Sequence, residues 1–172
     1  MYLTLEKLEK YTLNSGSNYW KEGFKYRWKY MSYAIEQMKK LAPEEEFRFC
    51  EIGCSGIPLH PFSDQLNYPE IDINNIPYHF PKISGHTGII PDKFYDITIA
   101  LQVWEHLDKQ AEAFKEVERI SKAAILSFPY QWKHGNARHQ GIDDNKIAEW
   151  TCQKKPIDIK QIGTRIVYTW EF

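Results

Sequence analysis

The sequence predicts an α/β domain built as a three-layer sandwich, in which helices cover a mostly parallel sheet with a C-terminal antiparallel strand. Three observations predict it. Apolar runs alternate with amphipathic segments from residue 47 to residue 128, which is typical of strand–helix–strand units with right-handed crossovers. The run "YDITIALQV" at residues 95–103 is almost continuously apolar and rich in β-branched residues, as in central parallel strands. Near the C-terminus, two further apolar runs flank Gly163-Thr164, which predicts an antiparallel pair.

Length and composition favour one soluble domain, residues 1–172, in which residues 1–46 form a helical segment and residues 47–172 the core. A chain of 172 residues buries roughly two-thirds of its unfolded surface. The net charge of −1 supplies no long-range attraction to nucleic acid or to an anionic membrane, which argues against both as partners. Three cysteines are too few, and odd in number, for a disulfide framework. Cysteines that stay reduced, together with the absence of a signal peptide and of a membrane span, predict a cytoplasmic location.

An amphipathic N-terminal helix is predicted before the core. Residues 19–41 place large apolar side chains at steps of three and four, with lysines between them, and Pro43 closes the segment. The apolar stripe consists of Trp20, Phe24, Trp28, Met31, Ile35 and Met38. We expect it to pack on the sheet, while a second stripe offers a lid over a ligand site, and the aromatic helix offers a homodimer surface. The second stripe consists of Tyr19, Tyr26, Tyr30 and Tyr33.

The remaining elements follow from hydrophobic periodicity and turn signals. The predicted strands are residues 47–52, 70–73, 95–103 and 123–128, followed by the closing pair at residues 157–162 and 165–170. The predicted helices of the core are residues 105–121 and 143–150. Strands and helices thus alternate through the core, as the sandwich requires.

Acidic and glycine residues gather where the predicted strands end. Glu51 precedes the turn "GCSG", Asp72 lies near the end of the short second strand, and residues 102–106 ("QVWEH") follow the third. The carboxyl ends of parallel strands form a crevice outside the sheet. These three segments are therefore expected to line one ligand site.

The same residues resemble a known family. The runs "FCEIGCSG", "EIDIN" and "FYDITIALQVWEHLDKQAEAFKEVERISKAAILSFPY" are similar to the class I, Rossmann-like methyltransferases that use S-adenosylmethionine. The resemblance covers roughly residues 47–130 and is most specific from Phe94 to Tyr130. It implies a Rossmann-like fold, S-adenosylmethionine as cofactor, and transfer of a methyl group to a small-molecule acceptor such as a sugar.

The resemblance also implies which residues bind the cofactor. The acidic-glycine segment would wrap the methionine part, Asp72 would accept the ribose hydroxyls, and residues 102–104 would lie beneath the cofactor. The implied cofactor-binding residues are Glu51, Gly53, Cys54, Ser55, Gly56, Asp72, Gln102, Val103 and Trp104. The turn "EIGCSG" is one residue shorter than the family's E-x-G-x-G-x-G, and a proline-bearing stretch replaces the helix that usually follows it.

Candidates for the acceptor chemistry lie after the third and fourth predicted strands. A base is needed when the acceptor is a hydroxyl or an amine that must lose a proton. The candidate catalytic residues are His106, Glu105 and His139, in that order, with Tyr130 as a positioning group. This interpretation includes no metal ion.

Two alternatives stay open. "QVWEH" is one residue away from the E-x-x-E-H motif of metal-assisted methyltransferases that act on small-RNA ends or on quinone precursors, and "RHQGIDDNKIAEWT" is similar to a stretch of the RNA-end group. Gln102, Glu105, His106 and His139 would then surround a magnesium or manganese ion that activates a hydroxyl. The second alternative is a non-catalytic binding or scaffold domain, which the shortened turn favours.

Overall fold

One sheet organises the computed structural model, which describes residues 1–15, 23–42, 47–54, 57–66, 90–133 and 137–172. The described strands are β1 (Phe49–Ile52), β2 (Asp64–Leu66), β3 (Tyr95–Leu101), β4 (Ser121–Pro129), β5 (Asp158–Ile162) and β6 (Arg165–Glu171). Their order in the sheet is β2-β1-β3-β4-β6-β5. The first four strands are parallel, and β6 is antiparallel to both of its neighbours, β4 and β5. The predicted mostly parallel sheet is confirmed.

Helices cover both faces of this sheet. The described α-helices are α1 (Leu5–Asn14), α2 (Phe24–Leu41), α3 (Gln110–Ile120) and α4 (Asp144–Trp150). Alternate residues of β4 face opposite sides, as the pleat of a strand requires. Ala124, Leu126 and Phe128 belong to the core shared with α3 and α4. Ala123 and Ile125 belong to the core shared with α1 and α2, so three layers result, as predicted.

The carboxyl ends of β1 and β3 lie side by side. Glu51 pairs with Ile99, and Ile52 with Ala100, in parallel register. The residues just beyond these strands, Gly53 on one and Gln102 on the other, therefore reach the same edge of the sheet. The crevice that the sequence predicts lies at this edge.

The predicted helix at residues 105–121 is wrong at its beginning. Trp104–His106 forms a single 3₁₀ turn, Leu107 is extended with φ −79° and ψ 149°, and α3 begins only at Gln110. Trp104 and Leu107 are both buried, and the indole N–H of Trp104 donates to the backbone carbonyl of Gln110 at 3.2 Å. The chain leaves helical geometry to place both side chains in the core, although their spacing fits a helix.

Two further elements differ from the expectation. The strand beside β1 is Asp64–Leu66, which lies in a stretch expected to be loop; the predicted strand at residues 70–73 falls outside the described residues. A short helix at Leu5–Asn14 was not predicted. The hydroxyl of Thr4 caps it by accepting from the backbone N–H of Lys7 at 3.3 Å.

Two tyrosines of α2, Tyr26 and Tyr33, bind the β5–β6 hairpin. Tyr26 donates to the backbone carbonyl of Ile162 at 3.2 Å, and Tyr33 donates to the carboxylate of Asp158. These two bonds hold α2 on the β5–β6 hairpin. Tyr26 and Tyr33 are thus structural, which contradicts a lid role for them; Tyr19 lies outside the described residues.

Among the described helices, none combines the length and the apolar character needed to span a bilayer.

Candidate active site

Glu51 at the end of β1 is buried, with 3% of its surface exposed. Its carboxylate accepts three hydrogen bonds from the segment after the glycine turn: from the backbone N–H groups of Leu59 (2.7 Å) and His60 (3.0 Å), and from the hydroxyl of Ser63 (2.6 Å). Burial raises the pKa of Glu51, and the three donors oppose that rise. The acid therefore fixes the proline-bearing segment, residues 57–63, against the sheet edge.

Gly53 brings the β1 turn into direct contact with the segment after β3. Its φ of +68° is a left-handed conformation that glycine adopts without steric cost. A Cβ atom at this position would lie 2.7 Å from Cγ2 of Val103. Glycine is required here both by the backbone conformation and by the lack of space for a Cβ atom.

A cavity of about 90 Å³, hereafter the Glu51 cavity, lies at this edge. Glu51, Gly53, Cys54 and Gln102 line it from the sheet, and Arg27 and Tyr30 line it from α2. Gln102 has φ +60°, and its side-chain amide donates to the hydroxyl of Ser127 on β4 at 3.0 Å. Four of the residues expected to bind the cofactor thus share one cavity.

Three of the candidate catalytic side chains form a second group, the Glu105 cluster: Glu105, His106 and His139. Oε1 of Glu105 lies 4.0 Å from Nε2 of each histidine, and the two rings are 5.2 Å apart. The Glu105 side chain is 1% exposed. Neither of its oxygens, and neither ring nitrogen of His139, has a hydrogen-bond partner among the described residues. Buried polar atoms without partners are costly to the fold, and these point to a function.

Burial sets the protonation of this cluster. It raises the pKa of Glu105 to about 7, with smaller opposing effects from the nearby backbone N–H of Glu105 itself and from Arg165. Burial lowers the pKa of His106, assisted by the charge of Arg138, and lowers the pKa of His139, assisted by His106 and Arg165. At neutral pH both imidazoles are therefore mainly neutral and able to accept a proton or bind a cation.

A second cavity of about 300 Å³, hereafter the Glu105 cavity, lies next to the cluster. Its polar lining includes Glu105, Asp108, Gln110, Arg138 and Lys146, and Trp150 forms part of its wall. Gln102 lines the first cavity, and Glu105, three residues later, lines the second. The segment after β3 therefore contributes one lining residue to each cavity.

The other predicted site residues lie elsewhere. Val103 and Trp104 belong to the buried core, where Trp104 is 1% exposed, and neither lines the Glu51 cavity. The hydroxyl of Tyr130 donates to the carboxylate of Asp144 at 2.9 Å, which makes Tyr130 a structural residue. Ser55, Gly56 and Asp72 lie outside the described residues, so their cofactor roles stay predictions.

Two residues of this site are not among those expected to bind the cofactor: Arg27, which lines the Glu51 cavity, and Ser63, whose hydroxyl donates to Glu51. Arg27 carries a charge on a helix whose apolar stripe predicts packing on the sheet, and Ser63 lies in the proline-bearing stretch, where the sequence departs from the family pattern. The usable signal for Arg27 was its i, i+3 spacing to Tyr30, which puts both on one face of a helix.

Stability is expected to depend on pH through Glu105. Its folded-state pKa of about 7 exceeds the ordinary value of 4.5, so the folded state binds this proton more tightly than the unfolded state. The destabilisation is absent below about pH 4 and develops as pH rises toward 7. The difference in unfolding free energy between Glu105→Gln and wild type should therefore shift in favour of the variant by about 3 kcal/mol as pH rises from 4 to 8. Urea unfolding at a series of pH values, with a chelator present, measures this; a pH-independent difference would contradict it.

Comparison with solved structures places the fold. A methyltransferase from Aquifex aeolicus, described as SAM dependent, superposes with a TM-score of 0.54 at 10% identity, covering 78% of this chain and 87% of that one. The methyltransferase domain of a bacterial protein, CtHen1-CN, gives 0.53 at 14% identity over 86% of this chain and all of that one (100%). A Haloferax volcanii methyltransferase, described as solved in complex with the activator Trm112, gives 0.52 at 10% identity over 96% and 97% of the two chains.

Sequence comparison adds no relative: no family model matches the chain, and no curated protein matches it. The assignment therefore rests on the order of the strands, the antiparallel β6 and the likeness to the three structures above. The chain has the fold of the class I, Rossmann-like S-adenosylmethionine-dependent methyltransferases.

Proposed function

We propose that this protein is an S-adenosylmethionine-dependent methyltransferase. The observation that carries the proposal is the pair of cavities to which the segment after β3 contributes lining residues. One is lined by the strand-end residues Glu51, Gly53 and Gln102, and the other by the buried carboxyl of Glu105. A cofactor site beside an acceptor site with a candidate base is what methyl transfer needs.

The Glu51 cavity would hold one end of the cofactor. At about 90 Å³ it is smaller than the roughly 300–1,000 Å³ of whole small-molecule sites. Its polar lining suits the amino-acid end, and the carboxylate of Glu51 would favour a nearby ammonium or sulfonium. Asp72 is proposed as the ribose acid on the strength of the family resemblance alone.

The Glu105 cavity is proposed as the acceptor site. Its volume of about 300 Å³ and its polar walls, including Asp108, Gln110 and Lys146, suit a small hydroxyl-bearing acceptor such as a sugar. S-adenosylmethionine would supply the methyl group. As the sulfur–methyl bond breaks and the acceptor–methyl bond forms, the acceptor's proton would pass to Glu105 or to His106. A pKa of about 7 suits Glu105 to this task, because it leaves much of the carboxyl ionised at neutral pH.

Thermal unfolding with three ligands tests the cofactor. S-adenosylmethionine and S-adenosylhomocysteine should raise the midpoint, because a ligand at 100 times its dissociation constant adds about 2.7 kcal/mol of stability. NAD should leave it unchanged. No rise with either sulfur nucleoside at millimolar concentration would reject the proposal. Binding without methyl transfer to sugars, quinone precursors or RNA ends would instead support the scaffold alternative.

A metal-assisted methyltransferase is a second candidate, which we propose on a separate observation. One ligand atom from each of Glu105, His106 and His139 lies within 4.8 Å of the others. The residues fit a cation, since the carboxylate oxygens of Glu105 and the ring nitrogens of His139 are buried atoms without a hydrogen-bond partner among the described residues. Two imidazoles favour manganese, iron, cobalt or zinc over magnesium, which prefers oxygen ligands. The amide of Gln102 is bonded to Ser127, so it adds little to this set.

In this second candidate the ion would supply a Lewis acid for the acceptor hydroxyl, which could belong to a small molecule, a quinone precursor or an RNA end. Glu105 would contribute its carboxylate as a ligand, and the two histidines would contribute neutral ring nitrogens. Binding would then relieve the burial cost of Glu105, since its charge would be paired.

Calorimetric titration with manganese chloride tests the metal site. Wild type is expected to bind one ion, and His106→Ala or His139→Ala should weaken binding by more than about tenfold. His60→Ala is the matched control, because the His60 ring packs against Phe49 at 5.0 Å and lies outside the cluster. Equal manganese affinity in all four proteins would exclude the site.

A further inference from the structure

We propose that Arg27 of α2 binds the carboxylate at the amino-acid end of the cofactor and so selects for ligands that carry it. This inference rests on the proposed function and names a residue that no motif of the sequence assigns. It makes α2 part of the cofactor site and not only a packing element.

The position of Arg27 in the Glu51 cavity is the first argument. Arg27, Tyr30 and Met31 are spaced i, i+3 and i+4, so they share the face of α2 that lines this cavity together with Gly53 and Cys54. Arg27 is only partly exposed. A guanidinium in such a site attracts an anion more strongly than one in open water.

The charge distribution of the cavity is the second argument. The carboxylate of Glu51 accepts from Leu59, His60 and Ser63, so its hydrogen-bonding capacity is directed at the adjoining loop. Arg27 contributes the opposite charge to the same lining from α2. A zwitterion bound in this cavity would turn its cationic group toward Glu51 and its anionic group toward Arg27.

Gly23 leaves space that the Arg27 side chain uses. A Cβ atom at Gly23 would lie 3.1 Å from Nη1 of Arg27 and 3.5 Å from Cζ. The arginine side chain therefore runs back over the start of the helix, in the direction that helical side chains favour. Gly23 has φ −176°, an extended conformation open to any residue, so the space used by the guanidinium is what a larger residue would take away.

The chemistry of the cofactor identifies the group that Arg27 would bind. S-adenosylmethionine carries a sulfonium, an ammonium and a carboxylate, and only the carboxylate is an anion. Arginine binds carboxylates through two parallel N–H···O bonds, which gives both strength and orientation. S-adenosylhomocysteine keeps this group, whereas 5′-methylthioadenosine lacks the whole amino-acid end.

Calorimetry with these two ligands tests the inference. Arg27→Gln should weaken S-adenosylhomocysteine binding by about tenfold to a hundredfold, the range for a hydrogen bond to a charged group, and leave 5′-methylthioadenosine binding unchanged. Arg27→Lys should fall between. Gly23→Ala, which keeps the arginine and crowds it, should weaken S-adenosylhomocysteine binding by a smaller factor. Lys25→Gln, an exposed cation on the same turn, is the control and should bind as wild type.

The outcomes separate this inference from the proposed function. Unchanged S-adenosylhomocysteine affinity in Arg27→Gln, or an equal loss for both ligands, would overturn the role of Arg27 while the methyltransferase proposal stands. A wild-type protein that binds neither ligand would overturn both. Should Arg27→Gln fail to fold, Gly23→Ala decides, and equal affinities in it and in wild type would reject the inference.

Discussion

Replacing Glu51 by alanine is expected to lower the free energy of unfolding by about 3–5 kcal/mol, the range for removing one partner of a buried charged network. The change deletes the acceptor of two backbone N–H groups and one hydroxyl, and leaves the donors of residues 57–63 without a partner in a buried site. The Glu51 cavity loses one wall at the same time. Urea unfolding followed by tryptophan fluorescence measures the loss.

Two control variants grade this effect. Glu51→Gln keeps the size but turns one acceptor into a donor, so it should cost less than alanine yet more than Ser63→Ala, which removes a single bond. Ser63→Ala should cost about 1 kcal/mol. A Glu51→Ala protein as stable as wild type would mean that the acid does not hold the loop.

Gly53→Ala is expected to destabilise the fold by about 2–4 kcal/mol, from two separable causes. A left-handed φ costs a residue with a Cβ atom about 1–2 kcal/mol. The new Cβ would also approach Cγ2 of Val103 to 2.7 Å, which forces a shift in a packed core. The same denaturation experiment measures the sum.

Gly141 and Val103 separate the two causes. Gly141 has a nearly identical φ of +69° with no atom within 4 Å of the added Cβ, so Gly141→Ala should show the conformational cost alone. Val103→Ala in the Gly53→Ala background should recover the steric part, giving a favourable coupling of about 1–2 kcal/mol in a double-mutant cycle. Equal costs at both glycines would contradict the close contact.

The sheet could be predicted because its strands carry the strongest local signals. β3 and β4 are nearly continuous apolar runs, and in β4 alternate residues enter opposite cores, so both faces demand apolar side chains. The β5–β6 hairpin has its turn at Gly163, whose φ is +59°. The local sequence is therefore enough to predict these elements.

The break after β3 could not be predicted, because its cause is tertiary. Leu107 and Phe114 fit one helical stripe, and periodicity alone therefore extends α3 backward to Glu105. Only the core shows that Trp104 and Leu107 must both be buried, which the 3₁₀ turn achieves. The same break places Trp104 in the buried core.

The candidate site was predicted unevenly for a similar reason. Strand order places Glu51 and Gln102 at one edge of the sheet. The loop after β4 returns to that edge and brings His139 to Glu105. The topology therefore predicts the positions of these residues. The position of Arg27 was not predicted, because its spacing to Tyr30 gives only a shared helix face, and no local signal sets how α2 lies across the sheet. Its place in the cavity depends on packing between elements far apart in the sequence.

Hydrogen–deuterium exchange with and without S-adenosylhomocysteine tests most directly where the cofactor binds. We expect the ligand to slow exchange in residues 49–54, 57–63 and 102–106 and in the first turns of α2, and to leave the β5–β6 hairpin unchanged. Protection confined to other parts of the chain, or none at saturating ligand, would contradict a cofactor site at the joined ends of β1 and β3.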